Sequence, residues 1–306
     1  MLRFASRDTA TCPIGPRGLI PQAVWVRYLR RMAAGTIERP TQLTPGDHSC
    51  WGFSSPASKA EAVLAFLDEG ATGGDQLLYV APGTVEELTR QLDALPHRRD
   101  LFESGQLSVL PLAEFYGTWE TFDVGGQLET FRQAGRQARA AGYRSLRCAA
   151  DLTPLADGPG DALLRYELAI GAVVAAEPLT GLCLYDERVA GAALPAVACT
   201  HAWRHGDGLE VPFSLHAGAD GIYHLTGDAD FTSVPELRRL LGTVASHHVG
   251  PLTIDIDDLE FLDVATTRVL AAFVDRERLH GRPVRFRASR QPPLTFLAFG
   301  LDAELA

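Results

Sequence analysis

The sequence predicts an α/β protein of two domains, and three patterns support this prediction. In the first two thirds of the chain, short strands that are apolar throughout alternate with helices, as in a parallel sheet covered on both faces. Around residues 206–209 this order ends, and a hairpin pattern follows. Near the C-terminus, a strand with period-2 alternation leads through an acidic turn into a helix. The 306 residues are enough for two domains of ordinary size.

Composition and charge narrow the class of protein. The chain is 46% hydrophobic and 22% charged, the balance of a soluble globular protein. No run reaches the roughly 18 apolar residues of a membrane span, and the N-terminus lacks the apolar core of a signal peptide. We therefore expect a cytoplasmic location and no membrane partner. A net charge of −10 argues against nucleic acid as the main partner. The five cysteines include no CxxC pair, which favours reduced, buried thiols.

Residues 1–44 are predicted to form an N-terminal extension. Residues 1–18 are rich in Gly, Pro, Ser and Thr and are predicted to be irregular. Gln22 to Ala34 is predicted to be a basic amphipathic helix. The sequence leaves open whether this helix packs on its own domain, docks on an acidic partner or binds nucleic acid.

The first domain, residues 45–205, is predicted to alternate strands with helices. The predicted strands are His48–Phe53, Gln76–Ala81, Leu107–Leu110, Leu146–Ala150 and Gly181–Tyr185. The predicted helices are Lys59–Gly70, Val85–Leu95, Leu128–Ala141 and Leu163–Ala176. The first of these helices ends in glycine, the usual C-terminal signal.

The second domain, residues 209–306, is predicted to begin with a hairpin and to continue as a small α/β unit. Asp263 stands where a helix N-cap belongs, just after the acidic turn. The predicted elements are strands Phe213–Leu215 and Ile222–Leu225, helix Pro235–His247, a strand from Leu252 to Ile256, a helix after Asp263 that includes Val269 to Val274, strand Val284–Arg287 and helix Pro293–Gly300.

Several spaced motifs of this second domain resemble the STAS domain of bacterial anti-sigma factor antagonists. They are Leu225-Thr226-Gly227-Asp228-Ala229-Asp230, Pro235-Glu236-Leu237, the run from Pro251 to Phe273, and Gly281-Arg282-Pro283-Val284-Arg285-Phe286. The resemblance implies a docking surface for a regulatory protein. Its residues would be Asp228, Asp263, Val264, Ala265, Thr266 and Thr267.

The usual phosphorylation site of that family is not preserved. The family reads Asp-Ser-Ser/Thr-Gly at this helix start, and the third residue accepts the phosphate. Here Val264 and Ala265 occupy the two hydroxyl positions, and Thr266 and Thr267 are displaced by one or two residues. We therefore predict that phosphorylation at the family site does not switch this domain.

The first domain resembles a MEDS domain, a sensory module of regulators in methanogens and methylotrophs. The matching residues are His48, Phe66-Leu67-x-x-Gly70-x-x-x-Gly74-Asp75, Glu167, Leu182-Cys183-Leu184-Tyr185-Asp186 and His201. The stretch also resembles RecA- and KaiC-like ATPases, which implies a three-layer domain with a mostly parallel sheet.

A working phosphate loop needs glycines and a Ser or Thr after its Lys. In the corresponding stretch, Ser58 replaces the second Gly, Ala60 follows Lys59, and Pro56 removes a backbone donor. We therefore predict that this domain retains the fold but has lost ATPase activity.

Polar and aromatic residues of the first domain predict a small-molecule site, because ligands of open parallel sheets bind at the carboxyl ends of the strands. The alternative is that Glu167 and the histidines form a buried hydrogen-bond network that fixes the fold. The candidate residues are His48, Trp51, Phe53, Asp151, Glu167, Tyr185, Asp186 and His201.

Metal binding and nucleophilic catalysis receive less support. His48, Glu167, Cys183 and His201 are residue types that zinc accepts, but none of them are closely spaced, so no metal or cofactor is predicted. A Cys183–His201–Asp186 nucleophilic set would need a reactive thiol, whereas Cys183 lies in an apolar strand where a thiol stays protonated.

Together these patterns predict a signalling regulator that is not an enzyme. A sensory first domain would bind a small molecule or a partner and control a second domain. That domain would dock on an anti-sigma factor or another STAS- or kinase-type regulatory protein. The alternatives are an enzyme acting on a small molecule in the first domain and an adaptor with both sites inert. Whether the chain forms a homodimer is left open.

Overall fold

The structure, a computed structural model, describes residues 35–206, 209, 211–289, 296, 298–301 and 303–305. Its strands are β1 (Gly35–Thr36), β2 (His48–Phe53), β3 (Gln76–Ala81), β4 (Leu107–Pro111), β5 (Leu146–Asp151), β6 (Leu179–Asp186), β7 (Trp203–His205), β8 (Phe213–Ala217), β9 (Tyr223–Ala229), β10 (Leu252–Asp255), β11 (Leu259–Leu262), β12 (Val284–Ala288) and β13 (Ala303–Leu305). Its α-helices are α1 (Pro56–Thr72), α2 (Val85–Gln91), α3 (Arg98–Glu103), α4 (Leu112–Tyr116), α5 (Val124–Ala140), α6 (Ala162–Ala176), α7 (Glu187–Ala190), α8 (Leu194–Ala198), α9 (Val234–His247) and α10 (Val264–Leu279).

Strands β1 to β7 form a sheet in the order β1-β7-β2-β6-β5-β3-β4, and every pairing in it is parallel. Both faces are covered, because one apolar core packs α1 against β3 and β5 and another packs α5 and α6 against β5 and β6. Burial on both faces explains why these strands are mostly apolar rather than alternating. The predicted α/β fold with a mostly parallel, three-layer first domain is confirmed.

A buried ion network joins β3 to β5 and explains Asp75 in the sequence motif. Asp75 is fully buried and accepts hydrogen bonds from Arg144, Ser145 and Arg147. The guanidinium of Arg147 lies over the ring of Phe66 at 4.6 Å and also donates to two backbone carbonyls. The carboxylate thus neutralises a cation that is almost completely removed from solvent.

The remaining strands form a second sheet of mixed direction. Its order is β11-β9-β10-β12-β13 with parallel pairings, and β8 pairs with β9 in an antiparallel hairpin. Helices α9 and α10 pack against each other and supply Leu237, Leu241 and Leu270 to its core. The N-cap prediction is confirmed, since Oδ1 of Asp263 accepts from the N–H of Thr266 at 2.8 Å.

The structure adds elements that sequence patterns did not predict. Strands β1, β7, β11 and β13 are two to four residues long, too short to produce a period. β1 draws residues from the segment predicted as the N-terminal extension. The predicted helix Val85–Leu95 ends at Gln91. The predicted helix Gln22–Ala34 lies outside the described residues, as does half of Pro293–Gly300.

The two sheets meet at α6, which packs on β8 and α9. The N–H of Leu215 in β8 donates to the carbonyl of Cys199 at 2.8 Å, just after α8. Arg239 of α9 forms an ion pair with Asp161 at the start of α6, with 2.6 Å between Nε and Oδ1. Among the described helices, none has the length and apolarity that crossing a bilayer requires.

Candidate functional site

Four side chains that could bind a metal or a ligand converge inside the first domain. His48 begins β2, Cys183 lies in the neighbouring strand β6, Glu167 projects from α6 and His201 follows α8. All four are buried, and their ligating atoms lie within 4.8 Å of one another. The topology explains the meeting, because β2 and β6 are adjacent in the sheet and α6 covers the same face.

Oε2 of Glu167 is at the centre of this cluster. It lies 3.3 Å from Nε2 of His48, 3.4 Å from Nε2 of His201 and 3.7 Å from Sγ of Cys183. Nε2 of His48 is also 3.2 Å from Sγ of Cys183. The imidazole rings of His48 and His201 have centroids 4.1 Å apart. We call His48, Glu167, Cys183 and His201 the buried cluster.

Surrounding groups hold these side chains in place. The hydroxyl of Tyr185 donates to Oε1 of Glu167. Nδ1 of His201 donates to the carbonyl of Val197 at 2.9 Å, which orients Nε2 toward Glu167. Glycine at position 181 makes room for the His48 ring, since a Cβ there would stand 3.0 Å from Cδ2. The cluster is therefore preorganised by its neighbours.

Burial and mutual proximity set the charges of the cluster. Burial, together with the nearby His201, lowers the pKa of His48 to about 4, so its imidazole is neutral at neutral pH. Burial raises the pKa of Glu167, but the adjacent imidazoles of His201 and His48 outweigh burial and hold this pKa below its ordinary value. Burial, with the negative charge of Glu167, raises the pKa of Cys183 well above its ordinary value. The cluster therefore contains an anionic carboxylate, a neutral imidazole and an unreactive thiol.

An apolar cavity of about 20 Å³ adjoins the cluster. His48 and Cys183 form part of its wall, and Tyr116, Phe131 and Ile170 form other parts. This volume holds roughly one water-sized molecule. A larger ligand would have to displace the helices that enclose the cavity.

The eight candidate residues do not share one pocket, contrary to the sequence prediction. His48, Glu167, Tyr185 and His201 come together, whereas the other four lie elsewhere. Trp51 points to the opposite face of β2 and stacks on His205 at 3.7 Å. The other three lie at the carboxyl ends of β2, β5 and β6. They are Phe53, Asp151 and Asp186.

At those carboxyl ends, charged side chains pair with each other. Nζ of Lys59 lies 2.5 Å from Oδ2 of Asp151. Asp186 forms an ion pair with Arg188 and caps α7. At the start of α1, Ser55 and Ser58 form a reciprocal capping box. The Ser55 hydroxyl accepts a hydrogen bond from the N–H of Ser58. In a phosphate loop, an N–H at this place would bind the phosphate instead.

The predicted docking residues of the second domain gather at the start of α10. Asp228 is exposed on β9, and Val264 is 52% exposed. Thr266 and Thr267 are fully buried. The hydroxyl of Thr266 donates to the carbonyl of Ala229 at 2.7 Å, which leaves it facing the protein interior.

Two further residues extend this surface and were missed from the sequence. Phe231 is 69% exposed and Phe261 is 53% exposed. Phe231 follows β9, and Phe261 precedes Asp263 by two residues, so both flank the start of α10. Phe261 is the detectable signal, because it is a large aromatic residue beside Glu260 at an outward position of β11. We call Phe231, Phe261 and Val264 the apolar rim.

Comparisons with known proteins agree with both halves of this description. The family model for the MEthanogen/methylotroph, DcmR Sensory domain (MEDS) matches residues 47–202. The model described as Mlab, STAS domain matches residues 216–305. Among solved structures, the flagellar accessory protein FlaH from Methanocaldococcus jannaschii is similar, with 13% sequence identity and a TM-score of 0.36 over 57% of this chain and 72% of FlaH. A comparison with curated proteins gives no match. The predicted order of a MEDS domain followed by a STAS domain is confirmed.

Proposed function

Because the chain belongs to the MEDS sensory-domain family and carries a STAS domain behind it, we propose that it is a cytoplasmic regulator in which the first domain controls the docking of the second. The STAS domain would bind a regulatory protein, with an anti-sigma factor of the kinase type as the favoured partner. The first domain would respond to a small molecule at the buried cluster. The protein would act by binding rather than by catalysis.

The contact between the two domains is the observation that carries this proposal. Helix α6 contributes Glu167 to the buried cluster and packs directly on β8 and α9 of the STAS domain. His201 lies two residues after Cys199, whose carbonyl accepts from Leu215 of β8. A change in the position of Glu167 or His201 would therefore act on elements that touch the STAS domain. A shared element of this kind can bias both sites.

The pairing of charges in the first domain supports loss of ATPase activity. Lys59 would have to reach a phosphate, but it is paired with Asp151, the residue in place for Mg²⁺. Only two residues separate β2 from α1, and the second of them caps the helix. These residues do not fit a nucleotide with its magnesium ion. The raised pKa of Cys183 likewise argues against a thiol nucleophile.

Two features of the STAS domain support control from the first domain rather than by phosphorylation. Both candidate hydroxyls, of Thr266 and Thr267, are buried and donate to backbone carbonyls. The apolar rim is the exposed hydrophobic surface beside them, as expected for a protein-docking site.

Binding of the full-length protein to purified kinase-type anti-sigma factors, followed by calorimetry, tests the proposal. We expect the Phe231→Ser, Phe261→Ser double variant to bind at least about tenfold more weakly, since truncating a buried aromatic anchor costs at least about 2 kcal/mol. The matched control is Arg99→Ala, on an exposed helix of the first domain. Equal binding by the double variant, or no binding by the unmodified protein, would contradict the proposal.

A further inference from the structure

The geometry of the buried cluster matches the coordination shell of a metal ion. In a tetrahedral site with bonds of about 2.0 to 2.3 Å, neighbouring ligand atoms are separated by roughly 3.3 to 3.8 Å. Four separations of the cluster, all involving Glu167 or His48, are 3.2, 3.3, 3.4 and 3.7 Å. The other two separations, from His201 to His48 and to Cys183, are at most 4.8 Å, so small side-chain shifts would place all four ligands around one ion.

Hydrogen bonding around His201 leaves its Nε2 facing the buried carboxylate of Glu167. Nδ1 of His201 carries the proton that it donates to Val197, so in the neutral ring Nε2 presents a lone pair. That lone pair faces Oε2 of Glu167 at 3.4 Å, and Nε2 has no hydrogen-bond partner. Two acceptors facing each other in a fully buried place are unfavourable unless a cation or a proton lies between them.

Two neighbours of the cluster make the hydrogen bonds that usually orient metal-binding side chains. A metal-bound imidazole usually donates its other N–H to a carbonyl or carboxylate, and a bound carboxylate accepts a further hydrogen bond. His201 makes the first kind of bond to Val197, and Glu167 accepts the second kind from Tyr185. Each bond directs the remaining lone pair toward the centre of the cluster.

We propose that Nε2 of His48, Oε2 of Glu167, Sγ of Cys183 and Nε2 of His201 bind one divalent transition-metal ion. Two imidazoles, a carboxylate and a thiol suit zinc. Binding would release the thiol proton of Cys183, because the metal-bound form is the thiolate. Four protein ligands close the coordination shell, which is typical of a structural or regulatory ion rather than a catalytic one.

The ion would tie together β2, β6, α6 and the segment after α8, two of which touch the STAS domain. Metal binding would then regulate the docking of the STAS domain. This regulatory role rests on the proposed function. Metal binding itself is measured without any partner. If it fails while partner binding persists, only the metal site is refuted; if partner binding fails alone, the metal site stands.

The test is to treat the full-length protein with a chelator, remove the chelator and titrate with Co²⁺, then Zn²⁺. We expect one ion per chain, the visible absorption of four-coordinate cobalt, a thiolate-to-cobalt charge-transfer band, and displacement by one equivalent of Zn²⁺. Cys183→Ser should lose the charge-transfer band. Cys148→Ser should keep it, because Cys148 is a buried thiol that lines the same cavity outside the cluster. An unchanged band in Cys183→Ser, or no stoichiometric binding, overturns the proposal.

X-ray absorption of the zinc-loaded, unmodified protein covers the case in which a variant does not fold. The proposal requires one sulfur and three nitrogen or oxygen neighbours. A shell of oxygen alone, or one with two or more sulfurs, would show that zinc is bound elsewhere and would overturn the proposal.

Discussion

Replacing Glu167 with Gln in the metal-free protein should destabilise the first domain. The amide keeps the size of the side chain but removes the negative charge that Tyr185, His48 and His201 surround. Glu167 is fully buried, so water cannot replace these interactions. Removing one partner from a buried charged network costs about 3–5 kcal/mol, and we expect a loss of that size.

The variant Tyr185→Phe supplies a second measure of the same network. It removes one hydrogen bond to a charged acceptor, which is worth about 1.5–3 kcal/mol. Tyr185→Phe eliminates the bond between Tyr185 and Glu167, whereas Glu167→Gln leaves a weaker bond to a neutral amide oxygen. The double variant should therefore lose about 1–2 kcal/mol less than the sum of the two single losses.

Urea unfolding followed by tryptophan fluorescence measures these losses. Three of the four tryptophans, Trp51, Trp119 and Trp203, lie in the first domain and none lies in the second, so the signal reports mainly on the first domain. The control is Glu103→Gln, which breaks an exposed ion pair with Arg99 and should leave the midpoint unchanged. A Glu167→Gln loss below about 1 kcal/mol, or additive losses in the double variant, would refute the assigned network.

Three further outcomes follow from the described contacts. Asp75→Asn should lower the free energy of unfolding in urea by about 3–5 kcal/mol, because Arg147 would stay buried without the carboxylate that neutralises it. A loss below about 1 kcal/mol would contradict this. Thr266→Val should lower the free energy of unfolding by about 0.5–1.5 kcal/mol, since the carbonyl of Ala229 loses one of its two donors and keeps the N–H of Asp263. Kinase treatment of the unmodified protein should leave Thr266 without phosphate in mass spectrometry. Calorimetry should show no ATP binding by the unmodified protein or by Lys59→Met. Saturable ATP binding by the unmodified protein would contradict this prediction, because Lys59 would then have left its ion pair with Asp151.

The regular part of the fold was predictable because its signals are local. β3, β5 and β6 are almost wholly apolar, and α6 is long and apolar, so their positions follow from hydrophobicity. β1 and β7 have two and three residues and exist only because they pair with each other and with β2. β11 was not predicted, because two consecutive residues, Glu260 and Phe261, face outward and break the alternation expected of a strand.

The candidate site was predicted only in part, because its assembly depends on strand order. The resemblance marked His48, Glu167, Cys183 and His201, but their sequence spacing gave no reason to expect one site. Their meeting follows from the pairing of β2 with β6, which brings together residues 135 positions apart. The rule that ligands bind at the carboxyl ends of strands predicted a site at Asp151 instead. In the structure, Asp151 forms an ion pair with Lys59. A pairing of that kind requires side-chain positions that the sequence does not supply.

Hydrogen–deuterium exchange on the full-length protein tests most directly whether the buried cluster acts on the STAS domain. Glu167→Gln is compared with the unmodified protein and with Asp186→Asn, a change at the end of β6 outside the cluster. We predict faster exchange in Glu167→Gln at Leu215 and along α9, which contact the segment after α8 and helix α6. Asp186→Asn should leave both regions unchanged. Faster exchange confined to residues 48–201 would contradict the account, because the cluster would then act on its own domain alone.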